Sequence, residues 1–292
     1  MQIFKEPNIN PNLSIALGFF DGVHIGHKKV IETAVNFAQN NNTKSAVITF
    51  SEHPYCYLKK ISPKYILTKN DKEKAIEQLG VDYLYELDFK SISKLSAKEY
   101  LENILVKNFS PTAISTGWNH NFGCKKIGDV KFLHANENKY NYKYFELPPQ
   151  KINNLIISST TIRQYLSNGD IAKANSMLGY KFKITGKIIK GNQLGRTIGF
   201  PTANLSYPKE LIELPHGVYS VDTNFGTGIA NYGSRPTING AEPILEINIL
   251  NFNQNIYGEV LIVEFNKMIR QEIKFPSLEA LRQQIQLDIK SI

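Results

Sequence analysis

The segment GFFDGVHIGH (residues 18–27) follows the apolar run SIALG (14–18) and leads into a helical pattern that starts near Gly26. Two histidines, His24 and His27, therefore stand where a strand passes into a helix. The start of a helix presents free N–H groups and a positive dipole end to anions. The pattern is compatible with a metal site, a phosphate site or two surface histidines at a tight turn.

The distribution of histidines argues against a metal. His53, His120, His134 and His216 are scattered along the chain, and no Cys/His cluster supplies further ligands. Gly22 and Gly26 would let the backbone approach a ligand closely. We therefore interpret the segment as a phosphate site of the kind used in nucleotidyl transfer, where the protein positions the phosphate and stabilises charge.

Two different hydrophobic periods divide the chain. Up to about residue 180, short strand-like runs alternate with helical patterns, which predicts an α/β doubly wound parallel sheet. Beyond residue 182, closely spaced β-rich runs predict a small antiparallel β-barrel, followed by one C-terminal helix with Ser277 as its cap. We therefore expect two domains, 1–180 and 181–292. Ligands should bind at the carboxyl ends of the parallel strands.

The composition narrows the class of protein. The net charge of +8 comes from lysine pairs and not from a basic tract, so a nucleic-acid patch and a polyphosphate site each fit it only weakly. No apolar run approaches the roughly 18 residues of a membrane span, and the N-terminus lacks a signal-peptide pattern, which indicates a cytoplasmic protein. Two cysteines, Cys56 and Cys124, are too few for a disulfide framework, and we expect free thiols.

A second anion-binding pattern is ISSTTIRQYL (157–166). The hydroxyls of Ser158, Ser159 and Thr160 stand at a predicted helix start, and Arg163 follows within one turn. Hydroxyls, helix-end amides and a guanidinium together suit a phosphate. Taken alone, the serines would be ordinary helix caps.

Together, GFFDGVHIGH, STGWNHNFG (115–123), KKIGDV (125–130) and ISSTTIR resemble the nucleotidyltransferase domain of bacterial bifunctional riboflavin kinase/FMN adenylyltransferases. The resemblance implies that His24, His27 and Arg163 act in catalysis on ATP. It assigns further ATP or phosphate contacts to Gly18, Phe20, Asp21, Gly26, Ser158, Ser159 and Thr160, and flavin contacts to Gly117, Asn119 and Phe122. The chain departs from the family at His120 and Asn121, where the family usually has Phe and a residue that is often Arg.

The second half contains KGNQLGRTIGFPTANL (190–205). Thr202 and Asn204 are two apart, so on a strand both face one side, and their oxygens suit a Mg²⁺ shell completed by phosphates and water. The segment GRTIGFPTANL resembles the riboflavin kinase signature, which implies that Thr202 and Asn204 bind Mg²⁺–ATP and that Glu246 is the catalytic base. By the same resemblance Gly191, Gly195 and Arg196 cover the phosphates and Arg270 binds flavin. Asn248 stands where the family usually has His, and without the resemblance Glu246 would read as an exposed strand residue.

We therefore predict a bifunctional enzyme that phosphorylates riboflavin to FMN and adenylylates FMN to FAD, with ATP as co-substrate and Mg²⁺ as cofactor. Its partners would be small molecules, with no nucleic acid and no membrane, and it would be a monomer or a weak homo-oligomer. Three alternatives remain at this point. They are a class I aminoacyl-tRNA synthetase, which shares the letters HIGH but should carry a KMSKS-type loop; a kinase with a decayed adenylyltransferase domain; and a flavin-binding regulator.

Overall fold

The structure, a computed structural model, describes residues 1–8, 10–189, 199–237 and 240–292. Its contacts divide the chain into two compact units. The first contains Met1–Pro63 and Lys69–Ser158, and the second contains Lys64–Thr68 and Ser159–Ile292. The contact boundary after Ser158 precedes the domain boundary at 180/181 drawn from the sequence pattern, which stays a prediction.

The first unit is built on a parallel sheet of six strands, with two separate antiparallel pairs. The strands of the unit are β1 (Gln2–Phe4), β2 (Leu13–Leu17), β3 (Lys44–Phe50), β4 (Tyr83–Leu87), β5 (Ala113–Gly117), β6 (Asn121–Phe122), β7 (Gly128–Asp129), β8 (Lys143–Leu147), β9 (Lys151–Ile152) and β10 (Leu155–Ile156). The separate pairs are β6-β7 and β9-β10. Within the described residues, the main sheet has the order β1-β4-β3-β2-β5-β8, and all its pairs are parallel. Every residue of β2 is buried, as expected for a strand covered on both faces.

Helices connect these strands. They are α1 (Ile25–Asn40), α2 (Pro54–Leu58), α3 (Lys69–Glu77), α4 (Phe89–Ile92), α5 (Ala97–Glu99), α6 (Lys107–Phe109), α7 (Val130–Ala135) and α8 (Glu137–Tyr140), with a π-helical segment Tyr100–Val106 between α5 and α6. Ser96 and Glu99 form the capping box that their spacing predicts, because each side chain accepts the other residue's backbone N–H. On α1 the buried residues form one stripe at helical spacing, Val30, Ile31, Ala34, Val35 and Ala38.

The strand order confirms the doubly wound class. The chain passes from β2 to β3 on one side, while β5 pairs with β2 on the other, so the order reverses between β2 and β5. Ligands of such sheets bind at this switch point, outside the carboxyl ends of the strands. The turn after β2 carries Gly18–His24, and β5 ends at Gly117, so two predicted site segments lie at this edge.

The second unit is an antiparallel barrel with helices. Its strands are β11 (Lys183–Lys187), β12 (Ala203–Ser206), β13 (Gly217–Thr223), β14 (Gly226–Thr237), β15 (Gly240–Ile249) and β16 (Val260–Gln271), in the order β11-β16-β13-β14-β15-β12. Ile189 N–H donates to the Asn204 carbonyl at 2.9 Å, so the sheet is nearly closed. The helices are α9 (Ser159–Ser167), α10 (Ile171–Leu178) and α11 (Leu278–Lys290), and Ser277 caps α11 as predicted. Among the residues described, no helix is both long and apolar enough to span a bilayer.

Two further segments are attached to this barrel. Asn175 attaches α10 to the barrel. Its Nδ2 donates to the carbonyl of Phe265 on β16 at 2.8 Å, and its Oδ1 accepts the Phe182 N–H at 2.7 Å. Lys64–Thr68 is attached by backbone hydrogen bonds, in which Tyr65 N–H donates to Glu210 and Tyr65 O accepts from Ile212, each at 2.8 Å. The second unit is therefore larger than the barrel strands alone.

We expect a fragment of residues 159–292 to unfold at a higher temperature than one of residues 183–292. Loss of α10 removes the fully buried Ile171, Ala174, Met177 and Leu178, and each large apolar side chain contributes about 1.5–3 kcal/mol when buried. Thermal unfolding followed by circular dichroism measures the difference. Equal midpoints would show that α9 and α10 do not stabilise the barrel.

Candidate active sites

A turn with unusual backbone geometry, Gly18–His24, joins β2 to α1. Phe20 and Val23 have φ of 57° and 36°, in the left-handed region, and Gly22 has φ of 80°. Left-handed geometry costs a non-glycine residue about 1–2 kcal/mol. Such strain persists only where the surrounding structure fixes it, and it is concentrated at functional sites.

The buried ring of Phe20 packs against this turn and against His27. The side chain is only 2% exposed, and a Cβ at Gly18 would lie 2.7 Å from Phe20 Cζ, so any larger residue at position 18 would displace the Phe20 ring. The Phe20 ring meets the His27 ring edge to face, with centroids 5.3 Å apart. Gly18 and Phe20 thus support His27 through packing, and direct contact of Gly18, Phe20 or the buried Asp21 with ATP stays a prediction.

The two histidines form one structural unit at the start of α1. His24 is the N-cap, and its Nδ1 accepts the His27 N–H at 3.3 Å. The two imidazoles stack with centroids 3.5 Å apart and an interplanar angle of 18°. A Cβ at Gly26 would lie 3.2 Å from His24 Cε1, so glycine lets the His24 ring fold over the helix start.

The hydrogen bond from the His27 N–H to His24 Nδ1 determines which ring nitrogen of a neutral His24 carries the proton. A neutral imidazole that accepts at Nδ1 carries its proton on Nε2, where it can donate to an anion. The first turn of α1 contains no acidic residue, so the positive end of the helix is not neutralised there. The site therefore combines an imidazole donor with a helix N-terminus, which is the chemistry that binds phosphate.

The end of β5 carries the second predicted segment of this unit. Trp118 N–H donates to the Leu147 carbonyl at 2.9 Å, and Asn121 Nδ2 donates to the Asn119 carbonyl at 2.8 Å. Asn119 is exposed, whereas Phe122 is buried between Tyr100 and Phe132. The expected flavin contacts of Gly117, Asn119 and Phe122 stay predictions, and a contribution from Phe122 would act through packing.

His120, one of the two departures from the family pattern, serves here as an aromatic ring. It stacks on Phe122 with centroids 5.8 Å apart and an interplanar angle of 24°. Burial lowers the pKa of His120 to about 4, so the imidazole is neutral at physiological pH. Its Nε2 is buried without a hydrogen-bond partner among the described residues. In this chain His120 therefore packs as a neutral aromatic ring.

We expect His120→Phe to stabilise the protein, because a buried polar atom without a partner costs about 1–3 kcal/mol. The gain should be larger at pH 5 than at pH 7.5. The folded-state pKa lies below the unfolded value, so wild-type stability is lost as the pH falls from 6.5 toward 4. Urea unfolding of both proteins at the two pH values measures this, and a gain independent of pH would contradict the burial argument.

The second anion-binding pattern lies at the start of α9. Ser159 and Arg163 are both partly buried and stand one turn apart on the same face, while Ile162 and Leu166 face the interior. Thr160 is exposed, and the first turn has no acidic residue. Ser158 is the last residue of the first unit, whereas α9 belongs to the second. The convergence of this helix with the histidine pair stays a prediction.

In the barrel, Glu246 lies in a row of polar residues across three strands. The antiparallel register pairs it with Asn204 on β12 and with Asn231 on β14. Residues paired in this way have Cβ atoms about 4.5–5.5 Å apart. Two carboxamides therefore flank the carboxylate. Asn231 was not predicted from the sequence, although asparagine is unusual within a strand.

The segment before β12 is held beside this row. Asn248, two residues after Glu246 on the same face of β15, donates from Nδ2 to the Pro201 carbonyl at 2.8 Å. Asn204 Nδ2 donates to the Thr202 carbonyl at 3.4 Å. Asn248, at the position where the family usually has His, thus holds the segment before β12 through its side-chain N–H.

Thr202, Asn231, Glu246 and Asn248 border a cavity of about 230 Å³. Its lining includes Phe200, Thr202, Val218, Ile229, Asn231, Glu246, Asn248, Arg270, Glu272, Ile273, Phe275, Leu281, Ile285 and Asp288. The barrel supplies the polar part. Apolar residues of α11 and of the segment before it supply another wall, which the sequence did not indicate. The structure thus brings together Thr202, Glu246 and Arg270, three of the predicted site residues.

Arg270 is bound to α11. Its Nε donates to both Asp288 carboxylate oxygens at 3.0 Å and its Nη2 donates to Oδ2 at 2.8 Å. Both side chains are largely buried, with 16% and 2% exposed. Arg270 therefore anchors the helix that closes one wall, and a direct flavin contact stays a prediction. Gly191, Gly195 and Arg196 lie outside the described residues.

Comparison with known proteins matches both halves of the chain. The family described as FAD synthetase matches residues 6–161, and the family described as riboflavin kinase matches residues 178–292. A bifunctional riboflavin kinase/FMN adenylyltransferase from Haemophilus influenzae is 36% identical, over 95% of this chain and 92% of that protein. One from Bacillus subtilis is also 36% identical, over 94% and 89%.

A solved structure is similar over the whole length. It is described as a macrolide-efflux protein from Streptococcus pneumoniae, shares 31% identity and gives a TM-score of 0.89, with 99% of this chain and 98% of that chain covered. The likeness at this TM-score supports the two-part fold of the chain.

Proposed function

The chain belongs to the bifunctional riboflavin kinase/FMN adenylyltransferase family, and we propose which of its residues carry the two reactions. It phosphorylates riboflavin to FMN with ATP and adenylylates FMN to FAD. The observation that carries the proposal for the kinase is the row Asn204–Glu246–Asn231 beside the barrel cavity. For the adenylyltransferase it is the His24–His27 stack at the start of α1.

Glu246 acts as the general base of the kinase. A carboxylate can take the proton of the ribityl 5′-hydroxyl as this oxygen attacks the γ-phosphate of ATP. The flanking carboxamides of Asn204 and Asn231 supply hydrogen bonds that orient the carboxylate and the substrate. The apolar wall formed by Phe275, Leu281 and Ile285 suits the flavin ring.

Mg²⁺ fits the donor set of this site. Thr202 offers a hydroxyl and Asn204 a carboxamide, and magnesium normally takes few protein oxygens and completes its shell with phosphates and water. These two residues would hold the ion, and Glu246 is paired with Asn204 across the sheet. When bound, Mg²⁺ would neutralise charge on the phosphates. Asn248 holds Pro201, and with it the backbone next to Thr202, beside Glu246.

We expect Glu246→Gln to lower FMN formation by about 10²–10⁴-fold, the usual contribution of a general base, and to leave conversion of supplied FMN to FAD intact. The assay follows riboflavin, FMN and FAD by chromatography after incubation with ATP and Mg²⁺. Equal loss of both activities would contradict the assignment of two separate sites. The wild-type enzyme should yield both FMN and FAD, whereas FMN without FAD would indicate an inactive adenylyltransferase.

In the adenylyltransferase, the protein positions and stabilises but supplies no nucleophile. An oxygen of the FMN phosphate attacks the α-phosphate of ATP, and pyrophosphate leaves. His24 Nε2–H, His27 and the N-terminal end of α1 bind phosphate oxygens and stabilise the charge that develops. Ser159 and Arg163 add a hydroxyl and a guanidinium for the triphosphate. No carboxylate or thiol needs to react.

We expect His27→Ala to lower FAD formation by about 10²–10³-fold, the usual effect of removing one charge-stabilising donor. FMN formation by the same variant should be unchanged and serves as its internal control. Initial rates with saturating FMN and varied ATP measure the effect. FAD formation at the wild-type rate would refute the phosphate-binding role of the pair.

Several finer expectations complete the proposal. The substrates are small molecules, and we expect no nucleic-acid partner, because the basic residues occur as scattered pairs. We further propose a cytoplasmic enzyme that is a monomer or a weak homo-oligomer. Sedimentation velocity at several concentrations tests the oligomeric state.

A further inference from the structure

Lys72 on α3 is a buried lysine that neither the sequence motifs nor the proposed reactions use. Its side chain is only 7% exposed, and lysines are almost never so deeply buried unless they are paired. Among the described residues, no carboxylate lies within ion-pair distance of its Nζ. The nearby carboxylate of Glu86 is already held by Lys5 and Lys69, each at 2.6 Å.

The ammonium of Lys72 lies instead against the turn that leads to the histidine pair. Its Nζ is 3.4 Å from the Phe19 carbonyl and 4.6 Å from the centroid of the Phe19 ring. The same carbonyl accepts the hydroxyl of Thr49 at 3.0 Å. Phe19 is the residue directly before Phe20, where the left-handed backbone begins. Lys72 and Thr49 therefore fix the entry to the strained turn.

The charge of Lys72 lowers protein stability unless something opposes it. The pKa of the Lys72 ammonium is lowered, mainly by burial. The carboxylates of Glu86, Asp21 and Glu73 oppose this shift, and the charge of Lys69 adds to it. Replacing a buried charge with an apolar side chain of similar size is often neutral or stabilising. A buried cation under an anion-binding turn is therefore better explained by a role at the site than by stability.

We propose that Lys72 is a positioning residue for adenylyl transfer, which holds the Phe19–His24 turn and adds positive charge beneath the triphosphate. The proposal rests on the function proposed for His24 and His27. Lys72 would act through the turn and its histidines and would not itself contact the reacting atoms.

The test is a double-mutant cycle with Lys72→Met and His27→Ala. We expect Lys72→Met to lower kcat/KM for FAD formation at least about tenfold, with FMN formation unchanged and Tm unchanged or higher. In the His27→Ala background the same substitution should change FAD formation less than about twofold, because both changes disable one unit. Lys74→Met, an exposed lysine of the same helix, is the matched control and should have no effect.

Each other outcome has a defined meaning. If His27→Ala reduces FAD formation and Lys72→Met does not, the inference is wrong and the histidine site stands. If His27→Ala has no effect, the histidine site itself is wrong. Additive losses, or a parallel loss of FMN formation with a lower Tm, would assign Lys72 a merely structural role. Partial recovery of FAD formation in Lys72→Arg, which keeps the charge, would support the proposal, and recovery in an uncharged variant such as Lys72→Gln would overturn it.

Discussion

The hydrogen bond from the His27 N–H to His24 Nδ1 is the interaction on which the first site depends. This hydrogen bond caps the N-terminus of α1. It also leaves Nε2 as the protonated nitrogen of a neutral His24, which makes Nε2 a hydrogen-bond donor. Glycine at position 26 favours this hydrogen bond, because a Cβ there would lie 3.2 Å from His24 Cε1. The strained turn before it, Phe20 beneath it and the stacked partner ring all serve to hold this geometry. The four letters of the motif thus describe a helix cap as much as a ligand contact.

In the barrel, sheet register and not a helix end holds the predicted site residues in place. There the register of three antiparallel strands places a carboxylate between two carboxamides, and a hydrogen bond from Asn248 holds the adjoining segment. The Arg270–Asp288 pair fixes the terminal helix that forms the apolar wall. The first site uses a helix end and a turn, whereas the second uses sheet register, so disruption of one geometry should leave the other intact.

The sequence predicted the two fold classes, because their hydrophobic periods differ along the chain, and it predicted the residues that lie within contiguous motifs. Asn231 and Lys72 could not be found in this way, because the roles proposed for them depend on neighbours that are close only in space. Glu246 became identifiable only through the resemblance, since its own strand gives it the pattern of an exposed residue. His120 departs from the family pattern in the segment after β5. Its stacking on Phe122, which the sequence did not indicate, shows that the imidazole packs there as an aromatic ring.

The attachment of Lys64–Thr68 to the barrel has a consequence for synthesis. Lys64 Nζ donates to the Lys209 carbonyl, 145 positions later in the chain. At about 5–20 residues per second, this segment waits on the order of 10 s for its partner to be made. The strands of the parallel sheet, which end at Leu147, are therefore synthesised before the barrel residues that bind Lys64–Thr68. A ribosome that paused before residue 209 would hold the first domain with this segment not yet bonded to the barrel.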